Sequence, residues 1–184
     1  MGRPAVINRD ALLDVVEHIV QTRGVGSLTI GEVAKAAGIS KGGVQSCFGT
    51  KDQIINAMFE RWGVEYDAQI RQIAGDSPAP AEELAAHVEV TRQMSDKEAR
   101  RAAGMMGAML TEDSQFRHAL RDWYRSRMTL FDPATAEGRR ARLAFVATEG
   151  AYILRCFGFL EIEQNEWEAI FEDIGQLMQS KTVS

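Results

Sequence analysis

The sequence predicts an all-α fold, and three observations predict it. Strand signals are nearly absent, apolar residues recur at three- and four-residue spacing, and helix-capping residues stand at intervals along the whole chain. The first helix, near residues 8–23, carries Leu12, Leu13, Val16, Ile19 and Val20 on one face and stops at Gly24. The second begins at Thr29, where Thr29-x-x-Glu32 reads as a capping box, carries Ile30, Val33, Ala34 and Ala37, and ends at Gly38. A third follows Ser40, and a fourth follows Thr50, where Thr50-x-x-Gln53 repeats the capping pattern. The fourth can run to about residue 74, roughly 37 Å at 1.5 Å per residue.

"GDSPAPAEE" (75–83) holds two of the four prolines and is the clearest break. Beyond it the pattern predicts helices over 80–94, 96–110, 113–131, 133–160 and 166–180, about nine in all. Ser95-x-x-Glu98, Asp132-Pro133 and Asn165-x-x-Glu168 supply starts for three of them. The expected division is a head over 1–51, a connecting helix over 51–74 and a helical body over 75–184.

Composition narrows the function. Apolar residues at 45% and charged residues at 26% of 184 are ordinary for a soluble globular protein. No apolar run approaches the roughly 18 residues of a membrane span, and "MGRPAVINRD" has charges where a signal peptide needs an apolar core. Cys47 and Cys156 lack metal-ligand spacing, so reduced thiols in a cytoplasm are expected. The net charge of −5 is unevenly spread: residues 1–51 carry +2 and the remainder −7, a small basic module on an acidic body. His18, His87 and His118 are scattered, and no HExxH, GxSxG or phosphate-loop pattern occurs, so no enzyme, cofactor or metal is expected.

The stretch "SKGGVQSCFGTKDQI" (40–54) sets Gly42 and Gly43 side by side in a short helix, although each glycine costs a helix interior about 0.8–1.0 kcal/mol relative to alanine. A short helix, the turn "AGIS" and a second short helix form a helix-turn-helix, whose second helix lies in the DNA major groove. Bare backbone at its N-terminus would let phosphates and base edges come close, with Lys41 and Lys51 flanking it for phosphate neutralisation.

"LTIGEVAKAAGISKGGVQSCFGTKDQIINAMF", with the helix before it and the "GVGSLT" link, resembles the DNA-binding domain of the tetracycline-repressor (TetR) family over about residues 8–60. The resemblance implies a homodimer with an operator-binding head and an effector-binding helical body, usually repressing transcription, with regulation of an efflux or detoxification gene. It makes Thr29 and Ser40 N-caps that also meet phosphates. Lys41, Gly42 and Gly43 would face the groove beside Gln45 and Ser46, Lys51 would contact DNA at the start of the fourth helix, and Val44 and Phe48 would be core. The family usually has an aromatic residue where this chain has Gln45, whose amide could instead pair bidentately with adenine. Residues 2–4, "GRP", could enter a minor groove as an arm.

In the body, 139–160 carries two apolar stripes: Leu143, Val146, Gly150, Ile153 and Phe157 on one, Phe145, Glu149, Tyr152 and Cys156 on the other. With Trp167, Ile170, Phe171, Ile174, Leu177 and Met178 of the last helix, the first stripe is the expected dimer interface, half of an intersubunit four-helix bundle as the resemblance implies. Met105, Met106, Met109, Phe116, Trp123, Tyr124, Met128 and Phe131 are soft and aromatic residues suited to an adaptable pocket, joined by Phe145, Glu149 and Tyr152. An acid amid aromatic residues must be paired or placed for use, and aromatics beside it make an organic cation a reasonable ligand. Its ordinary alternatives are pairing with Arg142 or Arg155, or solvent exposure. Two other functions stay open at this level: a helical DNA-binding or scaffold protein with no effector, and a thiol-based redox regulator acting through Cys47.

Overall fold

The computed structural model describes residues 8–111 and 115–179, with side chains described through 107 and from 117. Among the described residues it is all-α: α1 (Arg9–Arg23), a 3-10 turn (Val25–Ser27), α2 (Ile30–Ala37), α3 (Lys41–Phe48), α4 (Lys51–Ala74), α5 (Pro80–Arg92), α6 (Asp96–Thr111), α7 (Gln115–Thr129), α8 (Ala136–Cys156) and α9 (Gln164–Gln179). The "GRP" arm lies outside the described residues.

Caps place most of the boundaries. Asn8 accepts from the N–H groups of Asp10 and Ala11, and Thr50 and Gln53 cap each other reciprocally, at 3.2 and 2.9 Å. Ser95 and Glu98 make the same box at α6. At α2 only half of the expected box forms: Thr29 Oγ1 accepts from Glu32 N–H, but the Glu32 carboxylate turns to Arg23 at 2.7 Å. The ion pair offers the acid a charged partner where the box offers a neutral one.

Three expected starts and stops shift. Asp132 closes a turn onto Ala134 N–H, and Thr135 caps α8 by accepting from Gly138 N–H at 2.9 Å. A Cβ at Gly138 would stand 2.0 Å from the Asp132 carbonyl oxygen, so only glycine admits this tight entry. The helix ends at Cys156 because Gly158, at φ 63°, turns the chain and lets Phe159 N–H reach Leu154 C=O. Finally, α9 starts at Gln164, with Glu163 C=O accepting from Trp167 N–H, which leaves Asn165 inside the helix.

The helices form two compact units, which do not follow the chain order expected from the break at residue 75. Among the described residues, one comprises 8–64 with 101–111 and 115–118, the other 65–100 with 119–179. In the first, Leu13, Val16, Ile19, Leu28, Val33, Val44, Ile54 and Met58 are almost wholly buried, and α2 packs on both α1 and α3. Its interior also holds Glu17, 8% exposed. That carboxylate accepts from Arg61 Nε at 3.2 Å, Arg101 Nε at 2.7 Å and Arg101 Nη2 at 2.9 Å, while Arg61 also reaches Asp14. In the second unit, Leu84, Val88, Phe131, Ala144, Phe145, Ala151, Trp167, Phe171 and Ile174 form the core.

Candidate functional site

The first unit places its polar residues outward around α3. The turn before it depends on Gly38, at φ 67°, which closes α2 with Ile39 N–H on Ala34 C=O. Ser40 then caps α3 by accepting from Gly43 N–H at 3.1 Å. Val44 and Phe48 are buried, so the helix is held from one side. Lys41, Gly42, Gln45 and Ser46 are exposed on it, Gly43 and Lys51 are half-buried, and Thr29 stands exposed at the start of α2. A Cβ at Gly42 would meet nothing closer than Ser40 Oγ at 3.9 Å. The protein's own packing thus gives no reason for glycine there, whereas an outside body approaching the backbone would.

The second unit does the reverse, enclosing polar groups among rings. Glu149, projecting from α8, is 14% exposed, and its two oxygens meet Tyr124 and His87. Tyr124 O–H donates to Oε2 at 2.7 Å, and His87 Nε2 lies 3.0 Å from Oε1 without an aligned hydrogen bond. On the far side of the imidazole, Nδ1 is 2.7 Å from the Tyr66 hydroxyl of α4. Rings enclose this chain of polar groups: Phe145 lies 5.2 Å from the imidazole centroid, with Tyr66 and Trp123 at 6.1 and 6.2 Å. Trp123 also packs edge-on against Tyr124 at 5.1 Å.

Burial sets the electrostatics. It holds the Tyr66 and Tyr124 hydroxyls well above the ordinary tyrosine range, and for Tyr124 the neighbouring Glu149 charge adds to it. Both are therefore proton donors at neutral pH. Tyr152 is shifted the same way by burial, with the Cys156 thiol beside its hydroxyl adding to it. One turn on, burial pushes the Cys156 thiol up to about 12.

Of the residues expected at a pocket, the structure brings Trp123, Phe145 and Glu149 together and sets Tyr152 one turn along α8. Met105 and Met106 belong to the first unit, where Met105 is 1% exposed and neighbouring Gly104 lies against Val20, so they are not part of the Glu149 cluster. The side chains of Met109 and Phe116 lie outside the described residues. Glu149 pairs with neither alternative arginine: Arg155 goes to Asp96 at 2.9 Å and covers the Trp167 ring at 4.4 Å. His87 and Tyr66 were missed. The signal available was a histidine amid the alternating apolar residues of α5, but its partners on α4 and α8 come from distant sequence.

The expected dimer surface divides in two. On α8, Leu143 and Val146 are 59% and 55% exposed, Gly150 is open and Ile153 is exposed, with Phe157 half-buried and stacked on Phe159 at 5.5 Å. On α9, however, Trp167, Phe171 and Ile174 are already 1–5% exposed inside the protomer's own core, where Trp167 Nε1–H donates to Arg92 C=O. These three are core, since covered side chains have no area left for a partner; Ile170 and Met178 are partly buried against the same core. A groove of about 590 Å³ opens elsewhere, between α5 and α9, over Val88, Phe171, Gly175 and Met178 and rimmed by Glu89, Arg92, Glu168 and Glu172.

Known proteins carry both patterns. Residues 12–58 match the model described as bacterial regulatory proteins, tetR family, and residues 81–179 match the tetracyclin repressor-like C-terminal domain. No curated protein matches. Among solved structures, a transcriptional regulator from Rhodococcus sp. Rha1 is 21% identical, with 94% of this chain and 97% of that chain covered at a TM-score of 0.68. The fatty acid degradation regulator FadR from Bacillus halodurans is 14% identical, covering 100% and 98% at 0.67. NalD, the secondary repressor of the MexAB-OprM multidrug efflux pump in Pseudomonas aeruginosa, is 18% identical, covering 91% and 93% at 0.58. At these identities the likeness is one of fold.

Proposed function

Since the chain belongs to the TetR family of DNA-binding transcriptional regulators, a non-enzymatic family, we propose that it is a dimeric repressor released from its operator by a small aromatic organic cation bound at Glu149. The observation that carries this reading is the state of that carboxylate. Among the described residues no lysine or arginine is bonded to it, and its partners are a hydroxyl and an imidazole inside a ring of aromatic faces. A buried acid without a cation is costly, and aromatic faces attract positive charge. The cluster therefore has the charge and the aromatic faces that attract a flat cation.

The operator side rests on the exposed end of α3. Lys41, Gly42, Gly43, Gln45 and Ser46 would face the groove, the Thr29 and Ser40 caps would meet phosphates, and Lys51 would add a phosphate contact at the start of α4. The exposed α8 stripe is the proposed surface for the second copy, which would place two heads on a palindromic site about one helical turn, ~34 Å, apart. That NalD represses an efflux pump agrees with an efflux or detoxification gene as the target. Release requires only that the cation favour a conformation that the operator does not, and a typical coupling changes operator affinity about 5- to 150-fold.

Calorimetry with 1-methylquinolinium and its neutral isostere 1-methylnaphthalene tests the effector class. The cation should bind the native chain more tightly than the isostere, and Glu149→Gln should remove that difference. Equal affinities for the two in the native chain would overturn the reading.

A further inference from the structure

Two local rules are broken at one spot in the helix-turn-helix. Gly31 is the second residue of α2, where a glycine weakens a short helix, and Lys41, the first residue of α3, lays the end of its side chain across it. A Cβ at Gly31 would stand 3.2 Å from Lys41 Cε and 3.6 Å from its Nζ, with Thr29 Oγ1 at 3.8 Å. The lysine stem therefore crosses bare backbone, and its ammonium ends beside the Thr29 cap. Neither feature serves the protein's own stability. The start of a helix carries positive potential, so an ammonium gains nothing there, and alanine in place of Gly31 would favour α2. Glu32, the acid of that first turn, does not draw the lysine in, because its carboxylate is paired with Arg23 at 2.7 Å. An anion set between the ammonium and the helix start satisfies both, and duplex DNA supplies one at every phosphate.

We propose that Gly31 is a positioning residue for operator binding: its missing side chain is the seat that holds the Lys41 ammonium beside Thr29, where the two meet one backbone phosphate at the edge of the groove. The inference rests on the operator reading above and adds to it a residue and a division of roles along α3. Lys41 fixes the register on the phosphate backbone, and Gln45 and Ser46, exposed farther along the helix, are left to read bases.

The gain lies in what binding no longer has to cost. A lysine on a free stem gives up rotamer freedom when it meets a phosphate, whereas one already laid across a helix has given up part of it beforehand. Gly42 differs in kind, since a Cβ there would meet nothing closer than Ser40 Oγ at 3.9 Å. Gly42 keeps space open for an outside body; Gly31 keeps it open for the protein's own lysine.

The test is binding to an operator duplex selected from genomic fragments, followed by fluorescence anisotropy over a range of salt, for the native chain, Gly31→Leu, Lys41→Ala and the double variant. Gly31→Leu should raise the dissociation constant about tenfold and lower the salt slope by about one per copy bound, as Lys41→Ala does. In the Lys41→Ala chain the same leucine should change binding by less than about twofold, because the side chain that it displaces is gone. Native-like binding by Gly31→Leu with an unchanged slope would overturn the proposal. So would an equal loss in the Lys41→Ala background, which would mean that the leucine obstructs DNA directly; either result leaves the operator reading standing. If Lys41→Ala itself changes neither affinity nor slope, the operator role of Lys41 falls and this proposal with it. Should Gly31→Leu fail to fold by circular dichroism, Gly31→Ala, whose Cβ asks only a few tenths of an ångström of a flexible side chain, carries the same comparison with a smaller loss.

Discussion

Among the described residues, Glu17 of the first unit is buried and Glu149 of the second is largely covered, and the two are treated in opposite ways. Glu17 is gripped by two guanidinium groups, from Arg61 and Arg101, with Asp14 nearby to balance the second positive charge. Glu149 has a hydroxyl and an imidazole. The first acid is compensated from within the fold, so its role is to join helices. The second is left wanting a positive charge, and that is a property of binding sites rather than of scaffolds. The surfaces mirror this contrast: the first unit shows a polar helix end around Ser40 and Gln45, and the second an apolar stripe along α8.

Substitution can break or sharpen the contrast. Glu17→Ala takes from Arg61 and Arg101 the buried carboxylate that both hold, and losing one partner of a buried ion pair costs about 3–5 kcal/mol; a denaturant melt should show it. Glu149→Gln should by comparison leave stability within about 1 kcal/mol, since a neutral amide can still accept from Tyr124 and no cation is orphaned. A loss as large as that of Glu17 would mark Glu149 as structural.

On the outer faces, Val146→Glu should raise the dimer dissociation constant by about 100-fold or more, roughly 2.7 kcal/mol, through a carboxylate buried against its own copy. Sedimentation equilibrium reads it, and an unchanged association would place the interface elsewhere. Gln45→Ala should relax preference at one operator base pair at a cost of ~1–3 kcal/mol, whereas Lys51→Ala should weaken all sequences alike and reduce the salt slope by about one. Binding to a randomised operator library separates the two. The smallest effect concerns Cys156. Its thiol, pushed up to about 12, stays protonated and unreactive at pH 8, so alkylation in the native state should be far slower than after unfolding.

The first unit was the more legible because its signals are local. Thr29, Ser40 and Thr50 act on N–H groups three residues away, Gly38 ends α2 within its own turn, and Val44 and Phe48 face inward by helical period. Where a local rule met a stronger competitor it lost, as at Glu32, drawn off by Arg23. The body's helices were equally readable, but their contacts were not. Two-faced α8 was evident from its stripes, yet which face met the core depended on α5 and α9. Trp167, Phe171 and Ile174 were apolar at helical spacing, which fits a core and an interface alike. Tyr124 lies 25 residues from Glu149, and Tyr66 lies 21 from His87. Helical periodicity has no reach over such distances, so only the fold could assemble the cage.

The central claim, that Glu149 senses a cation on behalf of the DNA-binding head, is tested most directly by operator affinity itself. The operator would first be selected from genomic fragments, and its dissociation constant measured at pH 8 with and without saturating 1-methylquinolinium, for the native chain and for Glu149→Gln. The account predicts that the cation weakens operator binding of the native chain about 5- to 150-fold, and that the variant binds operator normally with or without it. An unchanged native affinity at saturation, or an equal loss in the variant, would contradict the claim.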